Sequence, residues 1–163
     1  MNKPSFSNVS NILRYNRKTG EFHWRVSVGR AVAGRPAGFI RKDGYVKIKI
    51  NGKAHGAHQL AWLLCYGEWP KHRIDHKDNV QSHNWIDNLR YASHSQNMAN
   101  RKRHINNTTG FKGVHQKPNG RYRTSVCKNN KRIWLGTFET AKEAHDAYCA
   151  AAVELHGEFA RTA

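Results

Sequence analysis

Residues 110–157 constrain the fold of this chain more tightly than any other stretch. GFKGVHQK, GRYRTSVCKN and KRIWLGTF read as three short strands, separated by turn signals at Pro118-Asn119-Gly120 and Asn129-Asn130. In the following TAKEAHDAYCAAAVELHG, the residues Ala144, Ala147, Tyr148, Ala151, Ala152 and Leu155 recur at helical spacing with acids opposite them. The natural packing is a small three-stranded antiparallel sheet backed by that one helix.

The first half is built differently. GYVKIKINGKAHG alternates Tyr45, Val46, Ile48 and Ile50 with lysines around an Asn51-Gly52 turn, a strong hairpin signal. AHQLAWLLCYG follows, with Leu60, Leu63 and Leu64 at helical spacing and Gly67 as the stop, which predicts a buried helix. Residues 11–40 read as short strands separated by Gly turns. RIDH predicts a strand, KDNVQSHNWID a polar loop and NLRYA a second strand. Ser93-His94-Ser95-Gln96 has the form of a capping box, so a helix is predicted from His94 toward Arg103. Residues 100–109, polar and basic without apolar periodicity, read as a linker that tracks a phosphate backbone.

Charge narrows the partner. Lys plus Arg number 28 against 11 acids, a net charge of +17. A surplus of that size points to a polyanion. Five Trp, six Tyr and six Phe argue for folded domains rather than a disordered basic tail. No acid lies between Asp87 and Glu139, while Arg90, Arg101, Lys102, Arg103, Lys112, Lys117, Arg121, Arg123, Lys128, Lys131 and Arg132 accumulate there. Cys65, Cys127 and Cys149 are odd in number and far apart, so they suggest buried thiols, not a disulfide framework or a zinc knuckle. No apolar run is long enough for a membrane span or a signal peptide, and the expected location is intracellular.

The segment RIDHKDNVQSHNWIDNLRYASHSQN, residues 73–97, carries the chemistry. Phosphodiester hydrolysis needs a base for water and a cation for the charge that builds on phosphate and leaving oxygen. Histidine suits the first, because it is largely neutral at cellular pH. An Asp carboxylate and an Asn carbonyl suit a hard ion such as Mg²⁺, which keeps several waters. Asp75 and His76 are the obvious pair, and both can serve one phosphate if the strand ends there. His58 reads as structural or as a phosphate contact. His83, Asn79 and Asn84 read as loop hydrogen bonders, and His72 and His94 as solvated.

This segment resembles the HNH nucleases of phages and mobile introns, whose site is a ββα fold around one metal. GYVKIKINGKAHGAHQLAW resembles the stretch that precedes the motif in such enzymes. The resemblance implies Asp75 and Asn97 as metal ligands, His76 as general base and Asn88 as the residue that braces the loop. The implied cofactor is a divalent ion, Mg²⁺ with Mn²⁺ as the alternative, and no structural zinc.

TTGFKGVHQKPNGRYRTSVCKNNKRIWLGTFETAKEAHDAYCAAAVELHGEFA resembles an AP2 domain, a DNA-binding module. The resemblance implies Lys112, His115, Lys117, Arg132 and Trp134 as DNA contacts on the sheet. Arg121 and Arg123 are basic neighbours, and Arg101, Lys102 and Arg103 are added from the linker. Several positions that carry Arg in the plant domains carry Lys112, His115, Lys117 or Cys127 here, so the guanine-reading fork is reduced.

The expected protein is therefore α+β. An HNH nuclease domain spans residues 1–99 with its ββα motif at 73–103, a basic linker spans 100–109, and an AP2-like domain spans 110–163. Its partner is double-stranded DNA. A monomer with one site nicks one strand, and a double-strand break needs a dimer or two visits. A DNA-binding regulator with a relic HNH site and an RNA-binding protein are the alternatives.

Overall fold

The computed structural model describes residues 3–101 and 103–162, so the DNA-contact candidate Lys102 lies outside the described residues. The chain divides into two compact units, Met1–Tyr91 and Ala92–Ala163. Among the described residues no helix is long and apolar enough to cross a membrane.

The first unit opens with α1 (Phe6–Ile12), an element the turn-rich reading of this region did not include. Ser5 starts it by accepting the Asn8 N–H on its side-chain oxygen. Short strands β1 (Leu13–Tyr15) and β2 (Phe22–Trp24) pair antiparallel. Strands β3 (Phe39–Ile40), β4 (Val46–Ile50) and β5 (Lys53–Gly56) form a second antiparallel sheet. Asn51 and Gly52 take φ of 48° and 79°, as a two-residue hairpin turn that follows the strand twist requires. Helix α2 (Ala57–Tyr66) comes next and stops at left-handed Gly67. Val9, Leu13, Phe22, Ile48, Ile50, Leu60, Ala61 and Leu63 form the core, and Ile86 and Leu89 join it. Those last two residues matter most for function. They anchor both sides of Asn88, at the foot of the polar loop between β6 (Arg73–His76) and β7 (Leu89–Ala92), which pair with each other.

The second unit begins with α3 (His94–Ala99), closed by the predicted capping box of Ser93 and Gln96. The helix is shorter than the expected run to Arg103. Asn100 caps it, donating its N–H to Gln96 O, and the charged residues beyond offer no apolar face to hold another turn. Strand, loop, strand and helix thus follow in the expected order. Strands β8 (Val114–Gln116), β9 (Tyr122–Lys128) and β10 (Lys131–Phe138) form an antiparallel sheet in the order β10-β9-β8. Helix α4 (Ala141–His156) backs it, with Thr140 and Glu143 in a capping box. Ala144, Tyr148 and Ala152 are its buried stripe, and Val114, Thr124 and Val126 face them from the sheet. Period-two alternation then turns His115, Arg123, Cys127, Arg132 and Trp134 to the opposite face. Cys127 is exposed there, unlike the buried thiol expected.

Candidate active site

Asp75 and His76 end β6 and are 8% and 3% exposed. Asp75 faces Arg90 across the β6/β7 pair, and the Arg90 Nε and Nη2 both donate to the same carboxylate oxygen at 3.1 Å. The cation fixes how the carboxylate is turned and offsets the cost of burying its charge.

His76 is oriented from the loop. Its Nε2 lies 3.3 Å from Asn84 Oδ1. Asn84 Nδ2 donates to Ser82 O at 2.8 Å, which fixes the amide so that its oxygen faces the ring. Nε2 must therefore carry the proton, leaving Nδ1 as the basic nitrogen. Burial lowers the His76 pKa, with the Asn84 hydrogen bond pulling the other way, and the ring stays neutral at cellular pH.

Asn88 braces the loop from below. Its Nδ2 donates to Asp78 Oδ1 and to His83 O, and its Oδ1 accepts the Asp78 N–H. Its backbone oxygen accepts the Lys77 N–H at 2.9 Å. Burial acts to raise the Asp78 pKa, but hydrogen bonds from the Val80 N–H, His83 and Asn88 outweigh it, and the carboxyl titrates below its ordinary range.

The loop is also held from the far side of the unit. Tyr15 Oη donates to Asn84 O at 2.7 Å, and Ile86 N donates to Arg17 O. Gly20 closes the turn after Tyr15 at φ 77°, and a Cβ there would collide with the backbone of Asn84 and Trp85. Gly20→Ala is expected to cost at least about 2 kcal/mol, from left-handed strain and that collision. Urea unfolding checks the loss, and an unchanged midpoint would show that the turn yields freely.

His58 lies beside His76, their ring centroids 5.5 Å apart. Burial, then His76 and Lys47, push its pKa down to about 4. The unfolded chain takes up this proton near pH 6.5, whereas the folded state resists until about pH 4. Acid therefore favours unfolding, and about 3 kcal/mol of stability is expected to disappear as the pH falls from 6.5 to 4. The His58→Phe variant should show a flatter stability profile over that window in chemical denaturation.

Asn97 sits in α3 of the second unit, where its N–H donates to Ser93 O. The first unit thus brings together Asp75, His76 and Asn88, and Asn97 belongs to the second. Among the described residues no group of three or more His, Cys, Asp or Glu is placed to hold a metal. The implied donors are one carboxylate and one amide oxygen, which fits a hard divalent ion that keeps most of its waters.

On the outer sheet face of the second unit, the Arg123 and Arg132 guanidiniums each lie 5.4 Å from the centroid of the Trp134 ring. Trp134 is 56% exposed, which removes it from the core. His115, Arg101 and Arg103 are exposed and Lys117 is half-buried. Arg121 is exposed and paired with Glu139 at 2.8 Å. Lys112 is placed differently from the other candidates. Its Nζ donates to Ala99 O at 2.6 Å and Arg161 O at 3.0 Å, so it ties the end of α3 to the C-terminal segment. Burial lowers its pKa to about 8. A cavity of about 340 Å³ in this unit, lined by His94 and Met98 of α3 and by Lys112, Cys127 and Arg132, contains none of Asp75, His76, Asn88 and Asn97.

Arg90 and Asn84 are the residues whose importance the sequence understates. Arg90 stood only among the basic residues, and the signal for it was its place opposite Asp75 once β6 and β7 pair. Asn84 stood as a loop hydrogen bonder, and only its contact with His76 sets it apart.

Comparison with known proteins finds two families along the chain. An HNH endonuclease family model matches residues 55–99 and an AP2 domain model matches residues 109–158. An uncharacterized HNH endonuclease of Acanthamoeba polyphaga mimivirus is 31% identical over 123 residues, covering 75% of this chain and 64% of that protein. The ethylene-responsive transcription factor ERN1 of Medicago truncatula is 48% identical over 64 residues, covering 38% of this chain and 24% of that factor. The chain thus spans less than two thirds of the length of either relative. A solved structure described as DNA binding and cleavage by the HNH homing endonuclease I-HmuI has a TM-score of 0.45 at 19% identity, over 96% of this chain and 91% of that one. HNH nucleases as a class work with a divalent metal. The chain carries an HNH endonuclease domain followed by an AP2 domain.

Proposed function

We propose that this protein is a metal-dependent DNA endonuclease of the homing-endonuclease kind, which hydrolyses phosphodiester bonds and nicks duplex DNA. The observation that carries the reading is the pair at the end of β6: a buried carboxylate held by Arg90 beside an imidazole that is kept neutral and turned by Asn84. His76 Nδ1 takes the proton from the attacking water, and Nε2–H stays on Asn84 Oδ1. The ring is 3% exposed, so it works largely shielded from bulk solvent. Asn88 keeps the loop, and with it Asn84, in register during the reaction. Asp75 and Asn97 would hold the ion, Mg²⁺ or alternatively Mn²⁺. When bound, it supplies positive charge to the phosphate and to the departing 3′ oxygen.

Functionally, residues 1–99 form the cutting part, 100–109 a basic connection and 110–163 the anchor. The outer face of β8–β10, with Arg123, Arg132, Trp134, His115 and Lys117, meets the duplex. One site per chain makes the monomer a nickase, acting inside the cell that holds the DNA, a bacterial host if a phage encodes it. Replacing Arg123 or Arg132 by Ala is expected to lower the slope of log affinity against log salt by about one each. Lys112→Ala should leave that slope unchanged, because its ammonium is already engaged. Binding titrations at several salt concentrations measure both.

The burial of His76 and the Arg90 contact on Asp75 favour one rival, a DNA-binding regulator whose site is a relic. A supercoiled-plasmid nicking assay with Mg²⁺ or Mn²⁺ separates the two. Conversion to open circles supports the nuclease, and intact plasmid under every divalent metal supports the regulator. Competition between duplex DNA and structured RNA tests the substrate class, and preference for RNA overturns it.

A further inference from the structure

We infer that His58 is a second substrate-contacting histidine of the nuclease site, donating its Nε2–H to a non-bridging oxygen of the phosphate whose attacking water His76 deprotonates. This assignment rests on the endonuclease reading above.

His58 stands in the first turn of α2, and its ring closes a triangle with two others. The centroid separations are 5.5 Å to His76, 5.5 Å to Tyr45 and 5.9 Å between Tyr45 and His76. A histidine this close to the base is either packing or working beside it, and its hydrogen bonding distinguishes the two. Among the described residues, His58 Nδ1 is the side-chain nitrogen or oxygen that is buried with no hydrogen-bond partner. Buried polar atoms are nearly always paired, so one that is not calls for an explanation, and a catalytic role is one of the few available.

The local backbone explains which edge of the ring is sealed. A Cβ on Gly56 would lie 2.8 Å from His58 Cε1 and 3.3 Å from Nδ1. The Nδ1 edge is therefore pressed against the chain at Gly56, and the missing side chain makes room for it. A neutral imidazole has one N–H, and that proton goes to the nitrogen that can find an acceptor. Nδ1 has none, so the proton belongs on Nε2.

Two further features fit a donor rather than a base. The ring resists protonation down to about pH 4, so beside His76 it presents an N–H without adding a positive charge that would weaken the base. The Lys47 ammonium acts on the same ring, so the donor has a cation in its neighbourhood. A fixed donor aimed at an oxygen that gains charge in the transition state stabilises that state more than the bound ground state.

The expected result for His58→Phe, which keeps the ring and removes the donor, is a fall of about 100-fold in the single-turnover nicking rate of supercoiled plasmid. Plasmid affinity should change by less than about threefold. His58→Asn, which restores a side-chain N–H, should recover to within about tenfold of wild type. The tautomer is read without activity, from the imidazole ¹⁵N shifts of the full-length protein at pH 7, where Nε2–H is expected. Wild-type speed in His58→Phe, an Nδ1–H tautomer, or loss confined to affinity would each overturn the role of His58 while leaving the nuclease standing. Should His58→Phe fail to fold, the Asn variant and the tautomer still decide. Failure of the wild type to nick under any divalent metal, with the Nε2–H tautomer present, would instead bring down the endonuclease reading and this role with it.

Discussion

The His76→Ala protein is expected to nick supercoiled plasmid at least about 100-fold more slowly than wild type, and as much as about 10,000-fold. Its affinity for the same DNA should be unchanged. The magnitude is that of a positioned general base, and the separation of rate from affinity follows from the fold. The second unit carries the basic outer sheet face, and His76 is buried in the first. Stability should fall as well, because the ring is buried beside Tyr45 and His58 and its loss leaves Asn84 Oδ1 without its partner, so rates are compared on protein shown to be folded. His76→Gln is a useful companion, since it can keep a polar contact to Asn84 and still has no basic nitrogen. Equal nicking by wild type and both variants would remove His76 from the mechanism. Loss of plasmid binding together with the rate would mean that the ring holds DNA instead of moving a proton.

Arg90→Met is expected to destabilise the protein by about 3–5 kcal/mol, the largest loss of stability anticipated for a single substitution here. The two side chains are 10% and 9% exposed. Removing the guanidinium takes two hydrogen bonds and the neighbouring positive charge away from a buried carboxylate. Met fills similar volume, so the loss reports charge rather than a cavity. The second substitution in Asp75→Leu with Arg90→Met removes the buried charge and should recover most of the stability, because a buried ion pair and an apolar pair of the same size differ little. Urea midpoints of the four proteins make the double-mutant cycle. A single-variant loss below about 1 kcal/mol would place the pair in solvent, as is usual for exposed ion pairs.

Both effects concern residues that pattern reading handles unequally, and the difference has a physical source. The β4–β5 hairpin, helix α2 with its Gly67 stop, the capping boxes at Ser93 and Thr140 and the three strands of the second unit are all governed by contacts a few residues apart. Turn residues, caps and apolar spacing state such contacts directly. Helix α1 escaped because it is only seven residues long and buries one residue, Val9, so its periodicity hardly rises above that of a loop. The length of α3 was overestimated for a related reason: its capping box announces the start, but nothing apolar continues it past Ala99.

The kind of chemistry was readable in the same local way, since Asp75, His76 and Asn88 are brought close by one strand, one loop and the next strand. How those groups are tuned was not. Tyr15 reaches Asn84 across 69 positions of chain, Asn84 then turns His76, and Arg90 holds Asp75 from the neighbouring strand. Lys112 illustrates the converse. The AP2 resemblance implied a DNA contact for it, and packing ties its ammonium to the carbonyls of Ala99 and Arg161. Periodicity tells which face a residue occupies, but hydrogen-bond partners distant in the chain exist only once the core has closed. Which nitrogen of His76 faces Asn84, and which carbonyls hold the Lys112 ammonium, were therefore decided by tertiary structure.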